Sequence, residues 1–124
     1  MRVFVTGAAG FIGSSLSERL LARGDEVLGY DNLNAYYDPT LKEARLARLT
    51  PHANFHFVRA SLEDRAALET AFKDFKPQRV VNLAAQAGVR YSIENPYAYI
   101  ESNLVGFINV LEACRHGKVG HLVY

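Results

Sequence analysis

The stretch that decides the fold is Val3-Phe4-Val5-Thr6-Gly7-Ala8-Ala9-Gly10-Phe11-Ile12-Gly13, in which a strand-like run meets glycines at three-residue spacing and then enters a helical pattern. Gly7 lets the chain turn sharply off the strand, Gly10 lets backbone N–H groups approach a diphosphate, and Gly13 lets the helix pack close to the sheet. The helix N-terminus offers unpaired N–H groups and the positive end of a dipole to an anion. The stretch predicts a dinucleotide site, with a plain strand–turn–helix unit as the alternative.

Asp31 supplies the second part of this pattern. It follows the strand-like run Glu26-Val27-Leu28-Gly29-Tyr30 and lies 18 residues after Gly13, close to the spacing of about 20 that dinucleotide-binding units show. Its carboxylate can accept hydrogen bonds from both hydroxyls of an adenosine ribose and would repel a 2′-phosphate. No arginine follows Asp31 within a dozen residues, so NAD is favoured over NADP. Arg59 or Arg90 could in principle serve NADP, but nothing in the sequence positions them to do so.

Strand-like and helix-like segments alternate along the whole chain, which indicates parallel βαβ units with right-handed crossovers. We expect one dinucleotide-binding domain over residues 1–124: an α/β, Rossmann-type, doubly wound parallel sheet of about five strands in the order 3-2-1-4-5, with helices on both faces. The ligand should lie at the carboxyl ends of the strands, where the strand order reverses. The predicted strands are Arg2–Thr6, Glu26–Asp31, Asn54–Val58, Arg79–Leu83 and His121–Tyr124.

Apolar spacing predicts which helix faces point inward. A capping box, Thr40 with Glu43, should begin the second helix, and Ser61–Asp64 should open the third. The longest helix is predicted over 96–116, with Pro96 at its first position. Gly106 inside it costs about 1 kcal/mol relative to alanine, which indicates close approach of another element. The predicted inward stripes are Ile12, Leu16, Leu20 and Leu21 in the first helix and Ile100, Leu104, Phe107/Ile108 and Leu111 in the longest.

The composition excludes several functional classes. The chain has 124 residues, 49% of them hydrophobic and 22% charged, with a formal net charge of +1. Its arginines are scattered, so nothing indicates a nucleic-acid or anionic-membrane partner, and its apolar runs are too short to span a bilayer. Cys114 is the only cysteine, which excludes an internal disulfide and agrees with a cytoplasmic location. Its position late in a helical pattern indicates a packed thiol.

On these motifs the chain resembles the extended short-chain dehydrogenase/reductase family, the NAD-dependent sugar-nucleotide epimerases and dehydratases. Within that family it is most similar to the UDP-glucuronate 4-epimerases, through the two stretches Asp31–Leu46 and Gln86–Ser92. The resemblance covers essentially all of the chain. It rests on Thr6–Gly13, Tyr30–Leu33, Leu83–Arg90, and Asn103 ahead of Leu111-Glu112-Ala113.

The resemblance implies roles for individual residues around NAD. The diphosphate would be held by the glycines Gly7, Gly10 and Gly13 and by the backbone N–H groups of Phe11 and Ile12. The adenosine ribose would be held by Asp31 and Asn32, and Asn103 would reach the cofactor from the long helix. The floor of the cofactor site would be formed by Leu83, Ala84, Ala85 and Ala87. Gln86 and Arg90 would lie where the sugar nucleotide approaches, although Arg90 could equally be a solvated loop residue. Ser61 and Leu62 are the cofactor-binding residues expected at the adenine. Many relatives have Gly-Asp where this chain has Ala60-Ser61, so Ser61 could serve only as a helix cap, while the backbone of Leu62 can still meet adenine.

The chain has no Tyr-x-x-x-Lys pair, which the family's reaction requires. In the family the lysine lowers the pKa of the tyrosine, whose phenolate removes a proton from the C4 hydroxyl as hydride passes to the nicotinamide. The resemblance therefore implies the N-terminal, cofactor-binding half of an epimerase, cut after its fifth strand and inactive alone. The parent would interconvert UDP-glucuronate and UDP-galacturonate through a 4-keto intermediate.

Two further interpretations remain open from the sequence. The chain could be a non-enzymatic minimal domain that mainly self-associates, or part of a related NAD-dependent dehydratase or reductase. An unpaired apolar strand such as Leu122-Val123-Tyr124 and a long helix without a neighbour invite a second chain. We therefore expect a homodimer or other self-association through the fifth strand or the helix 96–116.

Overall fold

The computed structural model describes every residue from Met1 to Tyr124. Its strands are β1 (Arg2–Thr6), β2 (Glu26–Asp31), β3 (Phe55–Arg59), β4 (Arg79–Asn82) and β5 (His121–Val123). They form one parallel sheet in the order β3-β2-β1-β4-β5. The predicted Rossmann-type sheet and its strand order are confirmed.

The sheet register aligns the carboxyl ends of the three central strands. Thr6, the last residue of β1, pairs with Tyr30 of β2 on one side and with Asn82 of β4 on the other. Because the chain leaves β1 toward β2 and β3 on one side and returns to β4 and β5 on the other, the strand order reverses at β1. A crevice at this end of the sheet is the usual ligand position in open α/β folds.

The helices cover both faces of the sheet. No helix combines the length and the hydropathy that a membrane span needs. They are α1 (Phe11–Ala22), α2 (Pro39–Leu49), α3 (Arg65–Phe75), α4 (Val89–Glu94), α5 (Pro96–Tyr99) and α6 (Gly106–His116), with a π-helical segment (Ile100–Val105) between α5 and α6. One core cluster lies under α3 and α6, and a second lies under α1 and α2. Alternation along β1 supplies both clusters, since Phe4 enters the first while Val3 and Val5 enter the second.

The prediction of one α-helix over 96–116 is wrong in its interior. The helical path does run from Pro96 to His116, but the hydrogen-bond pattern changes to π-helical over Ile100–Val105. This segment carries Asn103, whose side chain is hydrogen-bonded to the backbone of Gln86. Single-turn π segments often occur where a helix serves a site, and apolar periodicity carries no signal for them. The separate helix α4 was not predicted.

The predicted apolar stripe of α1 is largely wrong, because small residues face the sheet instead. Gly13, Ser14, Ser17 and Leu21 are the buried residues of α1, whereas Ile12 is 65% exposed. A Cβ atom at Gly13 would lie 2.0 Å from the carbonyl oxygen of Gly7, so the helix is too close to its own preceding loop for larger side chains. Leu16 and Leu20 pack only at the margin of the core.

The predicted stripe of the longest helix is likewise not the buried one. The buried residues of α6 are Gly106, Val110 and Ala113. Ile100, Leu104, Ile108 and Leu111 instead form an exposed apolar face, between 38% and 59% accessible. The close approach predicted at Gly106 is confirmed, since a Cβ atom there would lie 2.7 Å from the Cβ atom of Leu62.

Asp38 caps α2 in place of the predicted Thr40, and Asp64, the last residue of the predicted opening 61–64, caps α3. The Asp38 carboxylate accepts hydrogen bonds from the backbone N–H of Thr40 at 3.0 Å and from its hydroxyl at 2.8 Å. The Asp64 carboxylate accepts from the backbone N–H of Ala67 at 3.1 Å. Aspartate is among the strongest N-cap residues, and Pro39 fits the first turn of α2. Ser61 therefore does not cap α3.

Candidate functional site

A cleft of about 400 Å³ opens at the carboxyl ends of β1, β2 and β4. Most of the predicted site residues line it: Gly7, Gly10, Phe11, Asp31, Asn32, Ser61, Leu62, Leu83, Ala84, Ala85, Gln86 and Ala87. Four predicted residues do not line it: Ile12, Gly13, Asn103 and Arg90. The structure therefore gathers residues from four separate parts of the sequence around one cavity.

The glycine loop leads from β1 into α1 through a left-handed turn. Gly7 has φ +68° and donates its N–H to the carbonyl of Tyr30 at 2.9 Å. Gly10 is extended, donates to the carbonyl of Gly7 at 3.0 Å, and provides no side-chain cap for α1. The first N–H groups of a helix have no intrahelical partner, and here no side chain from Gly10 satisfies them. The N-terminus of α1 is therefore open toward the cleft, as an anion site requires.

Asp31 fixes the glycine loop from the end of β2. Its carboxylate is buried, and its Oδ2 accepts the N–H of Ala9 at 3.0 Å while its Oδ1 accepts the N–H of Leu33 at 2.8 Å. Each carboxylate oxygen can accept a further hydrogen bond. Asp31 thus orients the loop and still presents acceptors to the cleft, where ribose hydroxyls are predicted to bind.

Asn32 and Ser61 form the wall next to Asp31. The amide of Asn32 donates to the hydroxyl of Ser61 at 3.1 Å, and its oxygen accepts the N–H of Asn34 at 3.0 Å. The Tyr30 hydroxyl donates to the carbonyl of Ser61 at 2.8 Å. Burial, followed by the charges of Asp64 and Glu63, raises the pKa of Tyr30 to about 12. Tyr30 is therefore a protonated donor at neutral pH and holds the wall in place.

Thr6 is a positioning residue that the sequence analysis missed. Its hydroxyl donates to the side-chain oxygen of Asn82 at 2.5 Å and accepts the N–H groups of Leu83 and Ala84 at 3.0 and 3.1 Å. These contacts join the ends of β1 and β4 and hold the start of the predicted cofactor floor. A threonine at the last position of a strand was the available signal, but its partners are more than 70 residues away.

Asn103 holds a loop and does not line the cleft. Its oxygen accepts the backbone N–H of Gln86 at 2.8 Å, and its amide donates to the carbonyl of Gln86 at 3.1 Å. Both ends of the side-chain amide are therefore used on the backbone of one residue that follows β4. Gln86 itself is buried and lines the cleft, whereas Arg90 is exposed on α4 and stands outside it. Ser102, next to Asn103, is a lining residue that was not predicted.

Aromatic residues border the cleft near Gly88, another feature absent from the predictions. The rings of Tyr36 and Tyr91 lie 4.8 Å apart between centroids, and Tyr99 and Tyr91 lie 6.2 Å apart. The Tyr99 hydroxyl donates to the carbonyls of Ala87 and Gly88. The loop after β2, which carries Tyr36, thereby contacts α4, which carries Tyr91.

Two basic residues of α2, Lys42 and Arg45, also line the cleft and were missed. They stand three positions apart and therefore share one face of the helix. Arg45 lies more than a dozen residues after Asp31, and no local pattern indicates that α2 folds back so that Arg45 reaches Ala9 of the glycine loop. The i, i+3 spacing was the signal that could have found them.

The cleft combines groups that suit a dinucleotide. An open helix N-terminus favours a diphosphate, a buried carboxylate at the end of β2 suits a ribose, and the apolar stretch after β4 offers a flat floor. No tyrosine of the chain has a lysine four positions later, so these residues do not include the acid–base pair of the family's reaction.

Comparisons with known proteins match the whole of this architecture. The family model described as GDP-mannose 4,6 dehydratase matches residues 4–122. A probable UDP-glucuronate 4-epimerase of Rhizobium meliloti is 50% identical over 123 residues, which are 99% of this chain and 36% of that protein. The chain thus spans about a third of the length of this relative.

Solved structures agree. The UDP-glucuronic acid 4-epimerase of Bacillus cereus, crystallised with UDP-glucuronic acid and NAD, superposes with a TM-score of 0.89 at 34% identity, over 98% of this chain and 38% of that one. The UDP-glucose 4-epimerase of Thermus thermophilus, crystallised with NAD, gives a TM-score of 0.84 at 44% identity, over 100% of this chain and 37% of that one. The NAD in both structures agrees with the cofactor predicted from the sequence.

Proposed function

The chain belongs to the family described as GDP-mannose 4,6 dehydratase, and from this membership we propose that it is the NAD-binding unit of a UDP-sugar 4-epimerase. The observation that carries the proposal is the pair formed by the open N-terminus of α1 and the buried Asp31 carboxylate, on either side of the glycine loop. One group suits a diphosphate and the other a ribose with free hydroxyls. Both are found in one cleft.

In this proposal each wall of the cleft has one task. The backbone N–H groups at the start of α1 hold the diphosphate, Asp31 and Asn32 hold the adenosine ribose, and Ser61 with Leu62 borders the adenine. The floor that Thr6 and Asn103 position would lie under the nicotinamide end. When bound, NAD supplies a reversible hydride acceptor.

The proposed substrate is a UDP-uronic acid, interconverted between its glucuronate and galacturonate forms through a 4-keto intermediate. Similarity to 4-epimerases at about half identity supports this choice. Gln86, buried in the cleft wall, is the residue we propose for contact with the sugar nucleotide. Because these 124 residues lack a Tyr-x-x-x-Lys pair, we propose that they bind NAD without catalysing epimerisation by themselves. The cytoplasm is the proposed location, on the ground of the single, half-buried thiol of Cys114.

A related NAD-dependent dehydratase is the second candidate, since the matching family model is described by a dehydratase activity. The choice between an epimerase and a dehydratase depends on the chemistry at the sugar, whereas the cofactor cleft would serve both.

We also propose self-association. The face of Ile100, Leu104, Ile108 and Leu111 is exposed, and β5 is paired only with β4. These side chains are about half exposed, so each forgoes part of the roughly 1.5–3 kcal/mol that full burial of such a side chain contributes. Two copies could cover these faces mutually, and we propose a homodimer formed through them.

The test of NAD binding is a fluorescence titration with NADH, repeated with NADPH and with the variant Asp31→Ala. We expect saturable binding of NADH to the unchanged protein. Its binding of NADPH, and the binding of NADH by Asp31→Ala, should each be weaker by tenfold or more. Asp74→Ala, which removes a carboxylate from exposed helix surface, is the matched control and should bind NADH as the unchanged protein does. A folded protein that binds neither dinucleotide would refute the proposed function.

A further inference from the structure

Lys42 is a buried cation without a charged partner. The residue is 9% exposed, lies on α2 and lines the cofactor cleft. Its ammonium has one hydrogen-bond acceptor, the side-chain oxygen of Asn34 at 3.3 Å. The ion pairs of the chain involve other residues, and none of them includes Lys42.

The ammonium of Lys42 has donor positions left for a ligand in the cleft. An ammonium group can donate three hydrogen bonds, and Lys42 uses one of them on a neutral amide oxygen. Burying a charge with neither a counter-charge nor full hydrogen bonding is unfavourable. An exposed lysine keeps its ammonium group in water. Lysine is therefore rarely buried unless its charge is paired with an opposite charge.

Arg45 adds a second positive charge on the same face of α2. Its guanidinium reaches the carbonyl of Ala9, in the glycine loop, at 3.4 Å. The side chain is partly exposed and lines the cleft together with Lys42. The N-terminus of α1, beginning at Phe11, also opens into this cleft. Two cations and one helix dipole therefore converge on the same space.

We propose that Lys42, supported by Arg45, binds the diphosphate of the dinucleotide together with the N-terminus of α1. This inference rests on the proposed function and extends it, since it assigns the anion site a second wall that the glycine motif does not contain. A 2′-phosphate is the other anion that a dinucleotide could offer. The carboxylate of Asp31 stands at the ribose position and would repel it, so the diphosphate is the assigned ligand.

The experiment compares Lys42→Met with the unchanged protein, because methionine keeps the length and removes the charge. The probes are NADH and ADP, which carry a diphosphate, and 2′-AMP, which carries only the 2′-phosphate. We expect Lys42→Met to weaken NADH and ADP by tenfold or more, and Lys42→Arg to recover most of that loss. Lys73→Met, on the exposed surface of α3, is the matched control and should change neither affinity.

A second measurement separates this role from a purely structural one. Without ligand, Lys42→Met should unfold at a higher temperature than the unchanged protein, because the uncompensated buried charge is gone. A structural lysine would give the reverse, a lower unfolding temperature.

Three outcomes would overturn the inference while leaving the proposed function intact: unchanged NADH and ADP affinity in Lys42→Met, a loss confined to 2′-AMP, or a lower unfolding temperature of the ligand-free variant. No dinucleotide binding by the unchanged protein would overturn the proposed function and this inference with it.

Discussion

Gly10 and Gly13 are three residues apart in the glycine motif, but they have different roles in the structure. Substituting each of them with alanine should distinguish these roles. At Gly13 an added Cβ atom would lie 2.0 Å from the carbonyl oxygen and 2.8 Å from the carbonyl carbon of Gly7. Both are backbone atoms, so no side chain can move aside. At Gly10 the nearest atom would be the same oxygen at 3.1 Å, and its φ of −74° suits any residue.

The expected stabilities follow from these distances. An overpacked methyl group costs about 1–3 kcal/mol, and the rigid backbone contact places Gly13→Ala at the upper end. The gain in helix propensity returns about 1 kcal/mol. Gly13→Ala should therefore lose about 2 kcal/mol of unfolding free energy, which lowers the unfolding midpoint by roughly 8 °C at about 4 °C per kcal/mol. Gly10→Ala should stay within about 0.5 kcal/mol of the unchanged protein.

The affinity for NADH should respond in the opposite order, with the larger effect from the substitution at Gly10. Gly10 lines the cleft at the N-terminus of α1, so its methyl group would stand where the diphosphate approaches. We expect Gly10→Ala to raise the Kd for NADH by tenfold or more, about 1.4 kcal/mol, in a protein that remains folded. Chemical unfolding by circular dichroism and NADH fluorescence measure the two quantities independently. A Gly13→Ala variant as stable as the unchanged protein, or a Gly10→Ala variant with unchanged NADH affinity, would refute the reasoning.

Two further predictions concern the surface and the pH response. Leu104→Glu, in the exposed apolar face, should shift the protein toward monomer in light scattering at high micromolar concentration. Ile93→Glu, at an exposed position on α4, is the control and should not. An unchanged mass for Leu104→Glu would exclude this face as the contact. Asp25 accepts a hydrogen bond from Arg23 at 2.6 Å, and this contact, aided by the N-terminal ammonium, holds the pKa of Asp25 below its usual value despite burial. Because the folded-state pKa is depressed, the contribution of Asp25 to stability is present above about pH 4 and is lost as the pH falls through the folded-state pKa. Asp25→Asn should thus be less stable than the unchanged protein at pH 7, by a margin that shrinks toward pH 2 in urea unfolding, while Asp74→Asn should show little difference at either pH.

The parts of the fold that depend on local chain geometry could be predicted from the sequence. The glycine spacing, the acidic residue at the end of β2 and the alternation of strands with helices each act over a few residues, and the handedness of parallel crossovers then limits the strand order. The family assignment and the sheet order 3-2-1-4-5 are confirmed on that basis. Most of the predicted cofactor residues line one cleft for the same reason, since carboxyl ends of parallel strands meet at one edge.

The buried faces of the helices were predicted less well. Apolar periodicity reports which residues are hydrophobic, and not how closely a helix approaches the elements packed against it. Gly13, Ser14 and Ser17 are buried where α1 begins, because Gly13 lies against the glycine loop, and the buried leucine of α1 is Leu21, near the end of the helix. The apolar stripe through Leu104 is exposed in this chain, and the buried face of α6 centres on Val110.

The sequence by itself determined that this chain forms a doubly wound sheet with a glycine loop and an acidic residue at its switch point, because those features follow from adjacent residues. Only the tertiary structure decided which side chains hold that site in shape. Asp31 binds the loop at Ala9, Asn103 binds the backbone of Gln86, and the Thr6 hydroxyl binds the backbone of Leu83. Each of these contacts joins segments distant in sequence, and its geometry depends on how closely two packed elements approach, a quantity that no local pattern encodes.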